Sequence, residues 1–539
     1  MSPRALGVLC LAFAGCARTS AAEVPRAIAT TVTIDCRAPG HLISQLIYGV
    51  GDAERRDAAR ALPWELGATA RRWGGNSNSR YNWELGNAWN TASDWFFRNV
   101  DYGDTPGPAY ARFIEENHAH ELATALTIPM LGWVAKDTSS SSYSVARLGQ
   151  QHAMDPEGKA GDGISLDGKP LQPERTSVVA PPEMMGRWVT AIRAADARRG
   201  ARGVQQYILD NEPMLWHETH RDVHPQPVGY DELLDRTLRY GAAIRKADPQ
   251  AVIAGPALWG WPAYFYSAID AHEGFHRHPD RRAHGDIPLL PWYLQQLKAA
   301  EKKSGLHIVD NIDVHFYPQA DAIGVGTKGL TDSKSAALRI RSARGLWDPD
   351  YRDESFIDQP VRLLPRLREW IDASNPGLGI SIGEYNFGAE QHISGGLALA
   401  EVLGRFAQFD VTSAFYWTAP PRDSPAYWAF RAYRNYDGQG GRFQDVFAGV
   451  TNLDRLSLFA SRDPASTRVV VIAVNAREVA TNVTIALTHC GERTSSRQFT
   501  YANGSAGFTR QALPGSTATL PAMSMTALEL QLIPDKAPW

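Results

Sequence analysis

Short apolar runs recur along most of the chain, separated by longer segments in which apolar residues are spaced differently. Eight of these runs are four to seven residues long and are bounded by turn residues, which is typical of strands buried on both faces. We predict strands at residues 46–50, 68–73, 126–132, 204–209, 252–255, 312–316, 378–382 and 411–417.

The segments between these runs place apolar residues three and four positions apart, which is the period of a helix with one buried face. Eight strand-helix units over about 370 residues favour an α/β fold, a (β/α)8 TIM barrel with enlarged loops. A doubly wound open sheet is the alternative. We predict helices at residues 185–199, 230–247, 291–302, 362–373 and 397–409.

The pattern changes after residue 447 to short strands separated by turn residues, which favours a β-sandwich. Near the other end of the chain, Val32, Ile34 and Cys36 share one face of a strand that has no partner in the barrel, so we expect it to complete the sandwich. The sandwich strands are predicted at 456–461, 469–474, 483–487 and 525–532. The predicted domains are a signal peptide at 1–22, the N-terminal strand at 23–40, a catalytic barrel at 41–440 and the sandwich at 441–539.

The chain begins with Arg4 and an apolar run at 5–15, which predicts a signal peptide too short to span a bilayer as a helix. Phe13-Ala-Gly-Cys16 resembles a bacterial lipoprotein cleavage box and favours lipidation of Cys16, whereas Ala22 offers an ordinary cleavage site. No later stretch reaches about 18 uninterrupted apolar residues. We expect an extracytoplasmic protein, either secreted or anchored in a bacterial envelope, that meets a membrane only through a lipid.

Composition narrows the class of protein. A chain of 539 residues with 44% hydrophobic and 21% charged residues can bury a large core, and a formal net charge of -3 gives no electrostatic reason to expect nucleic acid as a partner. The 16 Trp and 19 Tyr residues favour sugar binding, because flat aromatic faces stack on the apolar faces of sugar rings. We expect a monomer.

Two cysteines, Cys36 and Cys490, remain outside the predicted signal peptide, at opposite ends of the chain. In an oxidising compartment they could pair if the N-terminal strand joins the C-terminal domain. Two unpaired cysteines in separate strands are the alternative, and both interpretations stay open.

Two glutamates follow predicted strands and carry the candidate chemistry. Glu212, in Leu209-Asp-Asn-Glu-Pro213, lies just beyond strand four, and Glu384, in Ile380-Ser-Ile-Gly-Glu-Tyr-Asn386, lies just beyond strand seven. A barrel brings both to one rim, where two carboxylates can cleave a glycosidic bond. By analogy with the retaining barrel superfamily, Glu212 is the acid/base and Glu384 the nucleophile. Their carboxyls should then lie about 5 to 5.5 Å apart.

Neighbouring polar residues suit this chemistry. Asn211 could hydrogen-bond a sugar 2-hydroxyl, and Arg72 at the end of strand two could hold a carboxylate ionised, although a surface salt bridge is its alternative role. Tyr317 is a candidate donor to the nucleophile. Aromatic residues gather at the same strand ends and predict a sugar-stacking cleft, with Trp417 as the platform. They are Trp73, Trp133, Trp259, Trp261, Tyr317, Tyr385 and Trp417.

Metal sites are weakly indicated. His272-Glu-Gly-Phe-His276 matches the zinc-protease pattern, but Gly274 interrupts the helix that the pattern needs and no third ligand is evident. A structural calcium ion held by Asp155, Asp162 and Asp167 matches no loop motif. We therefore predict no metal among the site residues and no required cofactor.

A series of motifs runs through the barrel in order. They are Arg72-Trp-Gly-Gly-Asn76, Arg80-Tyr-Asn-Trp83, Asp94-Trp-Phe-Phe97, Gly132-Trp-Val-Ala-Lys-Asp137, Asp210-Asn-Glu-Pro213, Asp313-Val-His-Phe-Tyr-Pro318, Leu346-Trp-Asp-Pro349, Glu384-Tyr-Asn386 and Tyr433-Arg-Asn-Tyr-Asp-Gly438. This series resembles glycoside hydrolase family 44. The resemblance implies a retaining, endo-acting β-glucanase or xyloglucanase with a barrel and a sandwich built from both chain ends, with Glu212 as acid/base and Glu384 as nucleophile. Asn76 and His315 lie in these motifs and join the predicted substrate-binding residues.

The chain departs from the family pattern at Gly383, where the family carries threonine. We predict hydrolysis of internal β-1,4-glucosidic bonds in cellulose-like β-glucans or xyloglucan by double displacement. The alternatives are a retaining hydrolase of mannan or xylan, a zinc protease built on His272 and His276, and a surface glycan-binding lipoprotein without activity.

Overall fold

The computed structural model of the chain describes residues 28–52, 58–103, 107–169 and 171–533. The predicted signal peptide at 1–22, with Cys16 and its two cleavage interpretations, lies outside the described residues, as does the start of the N-terminal strand at 23–27.

Eight parallel strands close into a barrel in chain order, which confirms the predicted fold class. The eighth strand pairs with the first, Phe415 opposite Gly49 and Tyr416 opposite Val50, so the alternative of an open sheet is wrong. Each predicted apolar run overlaps one of these strands. The barrel strands are Gly49–Asp52, Ala70–Trp73, Ala123–Ile128, Gln206–Leu209, Ile253–Leu258, Asn311–Phe316, Gly379–Tyr385 and Ser413–Tyr416.

Helices surround the barrel, and most of them bury part of their surface, although Pro279–Ala283 has no buried residue. Helix Tyr230–Ala247 has acidic residues in its first turn and basic residues in its last, as the helix dipole favours. Within the described residues no helix is long and apolar enough to cross a bilayer. The helices are Leu62–Glu65, Ala109–Ala119, Val145–Leu148, Pro182–Arg199, Trp216–Thr219, Tyr230–Ala247, Trp261–Phe265, Ala268–Glu273, Pro279–Ala283, Leu289–Ser304, Ser333–Ser342, Leu363–Ser374, Ile393–Gln408 and Pro425–Arg434.

Polar side chains form a layer inside the barrel below its mouth. Gln206 accepts a hydrogen bond from Asn311 at 3.2 Å, and the Ser413 hydroxyl lies 3.1 Å from the same Gln206 oxygen and 2.9 Å from the Ser381 hydroxyl. Because buried polar groups are costly unless they are paired, this network fixes four strands relative to one another. It forms a rigid floor beneath the carboxyl ends of the strands.

The C-terminal region forms two facing sheets, and the N-terminal strand belongs to the smaller one. Strand Ile28–Asp35 pairs in parallel with Thr481–Thr488, which pairs in turn with Thr517–Leu520. The larger sheet has seven strands. In spatial order they are His41–Leu42, Val446–Leu453, Leu456–Arg462, Arg468–Asn475, Ser524–Ile533, Glu492–Ala502 and Thr509–Ala512.

A disulfide joins Cys36 to Cys490, with their Cα atoms 4.9 Å apart. It ties the end of the N-terminal strand to the sandwich and resolves the open question about these two cysteines. Both cysteines are buried in the apolar core between the two sheets.

The sandwich packs directly on the barrel through helix Ile393–Gln408. Phe459 lies so close to Gly404 of this helix that a β-carbon there would be 2.4 Å from the ring. The fully buried Arg405 donates hydrogen bonds to Asn452 at 2.7 Å and Ser457 at 3.2 Å in the sandwich. A continuous apolar core therefore runs from the barrel into the larger sheet.

Candidate active site

A cleft of about 340 Å³ opens at the carboxyl ends of the barrel strands. Its walls come from strand seven and from the segments that follow strands two, four, six and eight, at the end of the barrel where loops build binding sites. The lining residues are Gly75, Asn76, Asp94, Asn211, Glu212, Tyr317, Val325, Glu384 and Trp417.

An irregularity in strand seven aims Glu384 into this cleft. The pairing with strand six shifts between Val314 and His315, so that Ile382 and Glu384 face consecutive residues and Gly383 is the extra one. Such a bulge breaks the alternation of side chains along a strand. Glu384 therefore faces the barrel mouth although Ile382, two residues earlier, belongs to the apolar core around the barrel.

Glu384 is held by two donors. Arg72 Nη1 lies 2.5 Å from its Oε1, and the Tyr317 hydroxyl donates to its Oε2 at 2.7 Å. Burial opposes ionisation of this carboxyl, but the charges of His315 and Arg72 and these hydrogen bonds outweigh burial, so the pKa of Glu384 lies below its ordinary value. The surroundings of Glu384 therefore favour its ionised form.

Glu212 stands on a constrained turn after strand four. Asp210 and Glu212 both adopt left-handed backbone conformations, with φ of 63° and 46°, which non-glycine residues rarely do. The Asp210 carboxylate accepts hydrogen bonds from the backbone amides of Met130, Leu131 and Asn211, and these bonds hold the turn. Burial raises the pKa of Asp210 to about 6 against the effect of these bonds.

His315 lies between the two glutamates. Its Nδ1 is 2.8 Å from Glu212 Oε1 and 3.5 Å from Glu384 Oε2. Burial disfavours the imidazolium, but the negative charges of Glu384 and Glu212 more than compensate and raise the pKa of His315. One ligand atom from each of these three side chains lies within 4.8 Å of the other two. One oxygen of Glu212 and one oxygen of Glu384 are therefore at most 4.8 Å apart.

Asp313 lies behind His315 inside the barrel. Its Oδ1 is 4.0 Å from His315 Nε2, and neither atom has a hydrogen-bond partner in the described part of the chain. Ser381 donates to the other oxygen, and burial raises the pKa of Asp313. A β-carbon at Gly383 would lie 2.3 Å from Asp313 Oδ1, so the carboxylate occupies the space of a side chain at 383.

A chain of hydrogen bonds leads from Glu384 along one wall of the cleft. Arg72 Nη2 donates to Asn211 Oδ1 at 2.9 Å, and Asn211 Nδ2 donates to Asn76 Oδ1 at 3.1 Å. Asn76 Nδ2 then donates to the Asp94 carboxylate at 3.1 and 3.2 Å. Each side chain in this series of hydrogen bonds is oriented by its neighbour, so the wall presents fixed acceptors and donors to a ligand.

Trp417 also lines the cleft, and its position depends on two glycines. A β-carbon at Gly51 or Gly75 would lie 2.5 or 2.8 Å from its indole, so only glycine leaves room for the ring. Gly75 also has φ of 93°, a conformation that disfavours other residues. Trp417 is partly exposed and lies over Arg72, with 5.9 Å between guanidinium and ring centre.

Comparisons with known proteins agree with this geometry. The family model for glycoside hydrolase family 44 matches residues 88–320. CelM2, described as a bifunctional glucanase-xylanase protein from a metagenome library, has 33% sequence identity and a TM-score of 0.85, over 93% of this chain and 99% of that one. The chain belongs to glycoside hydrolase family 44.

Two further relatives extend the comparison. Endoglucanase A from Paenibacillus lautus is 30% identical over 457 residues, or 80% of this chain. A family 44 xyloglucanase from Paenibacillus polymyxa, solved with xyloglucan, is 25% identical with a TM-score of 0.75 and covers 94% of this chain and 100% of that one. The chain spans 61% of the length of the Paenibacillus lautus enzyme and 34% of a second curated relative.

The structure brings many of the predicted site residues of this family 44 chain together. Around the two glutamates lie Arg72, Asn76, Asn211, His315, Tyr317 and Trp417.

Five predicted aromatic residues do not line the cleft. Trp73 is buried against Tyr81, Trp89 and Phe113 outside the barrel, and Tyr385 is buried against Phe406 and Tyr416. Each directly follows a site residue, and successive side chains of a strand point to opposite faces, so a cleft position for both neighbours was wrong.

The other three belong to neighbouring regions of the same barrel end. Trp261 begins helix Trp261–Phe265 and packs against Phe265, with 4.6 Å between ring centres. Trp133 begins the short strand Trp133–Ala135 and is partly buried against the barrel core. Trp259 lines a second, smaller hollow beyond Glu212.

Sequence reasoning missed Asp94, Asp210 and Asp313 as site residues. All three lie in the motifs that carry the family resemblance, but only the fold shows that Asp94 faces the cleft and that the other two support it from behind. A signal for Asp210 was present, since it directly precedes Asn211 and Glu212 at a strand end.

The zinc-protease pattern lacks the helix it needs. Helix Ala268–Glu273 ends before Gly274, whose φ is 95°, so His272 and His276 do not stand on successive turns of one helix. Among the described residues, three potential metal ligands lie close together at Glu212, His315 and Glu384, and this group includes neither His272 nor His276.

Two of the three acidic residues considered for calcium, Asp155 and Asp162, are engaged by protein groups. Asp155 lies 3.1 Å from Arg98 Nη1, and Asp162 accepts hydrogen bonds from the backbone amides of Ala153 and Ile164, both at 3.1 Å. A calcium ion would have to displace these partners.

Proposed function

We propose that this family 44 chain is a retaining, endo-acting glycoside hydrolase that cleaves internal β-1,4-glucosidic bonds of cellulose-like β-glucans or xyloglucan. The observation that carries the proposal is the closeness of the two carboxylates, since one oxygen of Glu212 and one oxygen of Glu384 are at most 4.8 Å apart. Retaining enzymes hold their carboxyls about 5 to 5.5 Å apart, whereas inverting enzymes leave about 6.5 to 9.5 Å for a water molecule.

The two glutamates take different roles in a double displacement. Glu384, kept ionised by Arg72, attacks the anomeric carbon while Glu212 gives its proton to the departing glycosidic oxygen. Glu212 then takes a proton from water, whose oxygen displaces Glu384 and frees the sugar. The two donors to Glu384, Arg72 and Tyr317, favour its carboxylate form, which is the form that a nucleophile needs.

Stereochemistry tests the mechanism. In proton NMR spectra taken early in the hydrolysis of a soluble cello-oligosaccharide, the new reducing end should be the β-anomer. Glu384→Gln should lower kcat by on the order of 10⁴-fold or more. An α-anomer would refute the retaining mechanism. Equal release of reducing ends by both proteins would refute the nucleophile assignment.

A substrate panel tests the polysaccharide. Names of relatives include endoglucanase, xyloglucanase and glucanase-xylanase, so β-glucan and xyloglucan are the first expectation and xylan the second. Initial rates on carboxymethyl cellulose, xyloglucan, xylan and mannan, at equal mass concentration, should be highest for one of the first two. A preference for xylan or mannan would keep the mechanism and change the substrate.

We propose that the chain acts outside the cytoplasm and needs no metal. The Cys36–Cys490 disulfide supports an oxidising compartment, and Arg72 and Tyr317 already donate hydrogen bonds to both oxygens of Glu384. Mass spectrometry of the mature protein should find either a lipid on Cys16 or a start after Ala22. Dialysis against EDTA should leave activity unchanged, and a loss restored by calcium or zinc would contradict the metal-free account.

A further inference from the structure

Three side chains of the cleft converge with the geometry of a metal site. His315 Nδ1 lies 2.8 Å from Glu212 Oε1 and 3.5 Å from Glu384 Oε2, and one ligand atom of each residue lies within 4.8 Å of the other two. Ligand atoms bound to a tetrahedral zinc ion at about 2.0 to 2.2 Å lie about 3.4 Å from one another. Small rotations of the two carboxylates would therefore bring all three atoms onto one ion.

The three ligands are of the kind that divalent transition metals prefer. Imidazole nitrogen and carboxylate oxygen are common zinc ligands, and three protein ligands leave a fourth position open to water. Calcium takes six to eight oxygen ligands, and magnesium demands an octahedron of oxygens and keeps several of its waters. Three protein ligands that include a nitrogen should therefore select zinc over calcium and magnesium.

Asp313 gives His315 the support that metal-bound histidines receive. Its Oδ1 is 4.0 Å from His315 Nε2, both residues are buried, and neither atom has a hydrogen-bond partner in the described part of the chain. In metal sites the histidine nitrogen that faces away from the ion donates to a carboxylate or carbonyl, which fixes the tautomer and raises the basicity of the ligating nitrogen. A proton on Nε2 would face Asp313 and leave the Nδ1 lone pair for a metal.

The charges around these side chains favour a dication. Burial, together with the negative charge of Glu384, raises the pKa values of Asp94 and Asp313. Glu212 lines the same cleft, and the guanidinium of Arg72 pairs with Glu384. Carboxylates that repel one another in a buried site are stabilised by a bound cation, whose charge becomes the largest one nearby.

Three groups limit the affinity for a metal. Tyr317 donates to Glu384 Oε2 at 2.7 Å, and Arg72 holds the other oxygen of this carboxylate. The negative charges of Glu384 and Glu212 outweigh burial and raise the pKa of His315, so a metal must displace a proton there. The ion is therefore expected to exchange readily, unlike the zinc of a closed structural site.

We propose that Glu212, His315 and Glu384 bind a zinc ion that inhibits the enzyme. The bound ion occupies one oxygen of the nucleophile and one of the acid/base, so neither can act on a glycosidic bond and a sugar cannot lie between them. Metal binding follows from the three side chains alone, whereas competition with a polysaccharide rests on the proposed function.

Inhibition kinetics test the competition. Zinc at ten times its dissociation constant should raise the apparent KM for cellohexaose about tenfold by mass action, leave kcat unchanged and lose its effect when EDTA is added. Magnesium and calcium at the same concentration should change neither value. No effect of zinc, a fall in kcat at constant KM, or equal inhibition by all three ions would refute the inhibitory site.

Binding measured without turnover locates the ion. Calorimetric titration of the metal-free protein with zinc should give a dissociation constant equal to the inhibition constant. Asp313→Asn should weaken binding about 10- to 100-fold, and His315→Gln and Glu212→Gln should weaken it more. Cobalt in place of zinc should give the visible absorption of a four-coordinate site in the wild type and in neither of these last two variants.

The matched control is the double variant His272→Gln and His276→Gln, which removes another pair of closely spaced histidines and should bind zinc as the wild type does. Binding that survives in both His315→Gln and Glu212→Gln, or that is lost in the control, would place the ion elsewhere and overturn the proposal. Glu212→Gln, at a side chain that is 16% exposed, decides the question if the buried His315→Gln variant folds poorly.

Failure of the metal site and failure of the proposed function are distinguishable. A wild-type protein that hydrolyses cellohexaose and binds no zinc would refute the metal site alone. A protein that binds zinc through Glu212 and His315 but hydrolyses no β-glucan would overturn the proposed function and the inhibitory role, while the metal site stands.

Discussion

Arg72 links the two sides of the site through one planar group. One of its nitrogens pairs with Glu384 and another donates to Asn211, next to Glu212. The guanidinium is fully buried and lies over the Trp417 ring. Its fixed fork can hold both partners at once, which a flexible ammonium cannot do as well. It therefore sets both the charge of the nucleophile and the geometry of the wall beside it.

Replacing Arg72 with methionine should shift the acid limb of the kcat/KM profile to higher pH. The positive charge lowers the pKa of Glu384, so its removal raises that pKa and leaves less carboxylate at a given acidic pH. The maximum should fall about 10- to 100-fold. Arg71→Met is the control, because Arg71 pairs with Glu116 outside the barrel. An unmoved acid limb in Arg72→Met would contradict this account.

Gly383 and Asp313 compete for one space, which predicts a coupled pair of substitutions. Gly383→Thr should lower stability by about 1 to 3 kcal/mol, because its β-carbon would crowd Asp313 Oδ1. Adding Asp313→Ser should restore part of the loss. Thermal unfolding of the two single variants and the double variant measures the coupling.

Gly515→Thr is the control for this pair, since nothing lies within 4 Å of a β-carbon there. Strictly additive losses in the double variant would show that the two residues do not compete.

At the scale of strands, the sequence located each barrel strand but did not show to which face each side chain at a strand end points. Apolar runs located all eight barrel strands, because strands buried on both faces carry a strong local signal. The glutamates at the ends of strands four and seven followed from that. The prediction for Trp73 and Tyr385 was wrong because it assigned every residue at a strand end to the cleft. Successive side chains of a strand point to opposite faces, so neither residue shares a face with the site residue before it.

Long-range features could not be predicted from local pattern. The bulge that turns Glu384 inward appears only when strand seven is paired with strand six. Asp94 lies 21 residues beyond strand two, and its place in the cleft depends on Asn76. Such contacts depend on the folded neighbours of a residue and leave little trace in hydrophobic periodicity.

Two tryptophans at strand ends should respond oppositely to alanine. Trp417→Ala removes a ring from the cleft and should lower kcat/KM about tenfold with little change in unfolding temperature. Trp73→Ala removes a core ring and should cost about 3 to 5 kcal/mol of stability. Activity of its folded fraction should stay near that of wild type. Thermal unfolding and initial rates of both variants measure these effects. Lost stability in Trp417→Ala together with lost activity in Trp73→Ala would show that the two rings were assigned to the wrong faces.

At the scale of the molecule, the barrel and the sandwich share one core. Phe459, Val470 and Ile472 of the sandwich belong to the same apolar cluster as the barrel residues, and Arg405 is bonded across the boundary. The N-terminal strand closes the smaller sheet. The site therefore rests on a body made from both ends of the chain.

Loss of the disulfide should destabilise the molecule without altering its site. The Cys36→Ser and Cys490→Ser double variant should lose about 2 to 4 kcal/mol, because the bond joins residues 454 apart in sequence and restricts the unfolded chain. Its kcat/KM at 25 °C should match that of wild type. Denaturant unfolding in the absence of reductant measures the loss, and an unchanged midpoint would show that the bond contributes no stability.

Trapping the glycosyl-enzyme tests the central claim most directly. An activated 2-deoxy-2-fluoro-β-cellobioside slows the second displacement more than the first, so the sugar should remain bound to the nucleophile. Peptide mass spectrometry should then find the added mass on Glu384, and Glu384→Gln should take up none. A label on Glu212, or full turnover without any labelled peptide together with an α-anomeric product, would contradict the account.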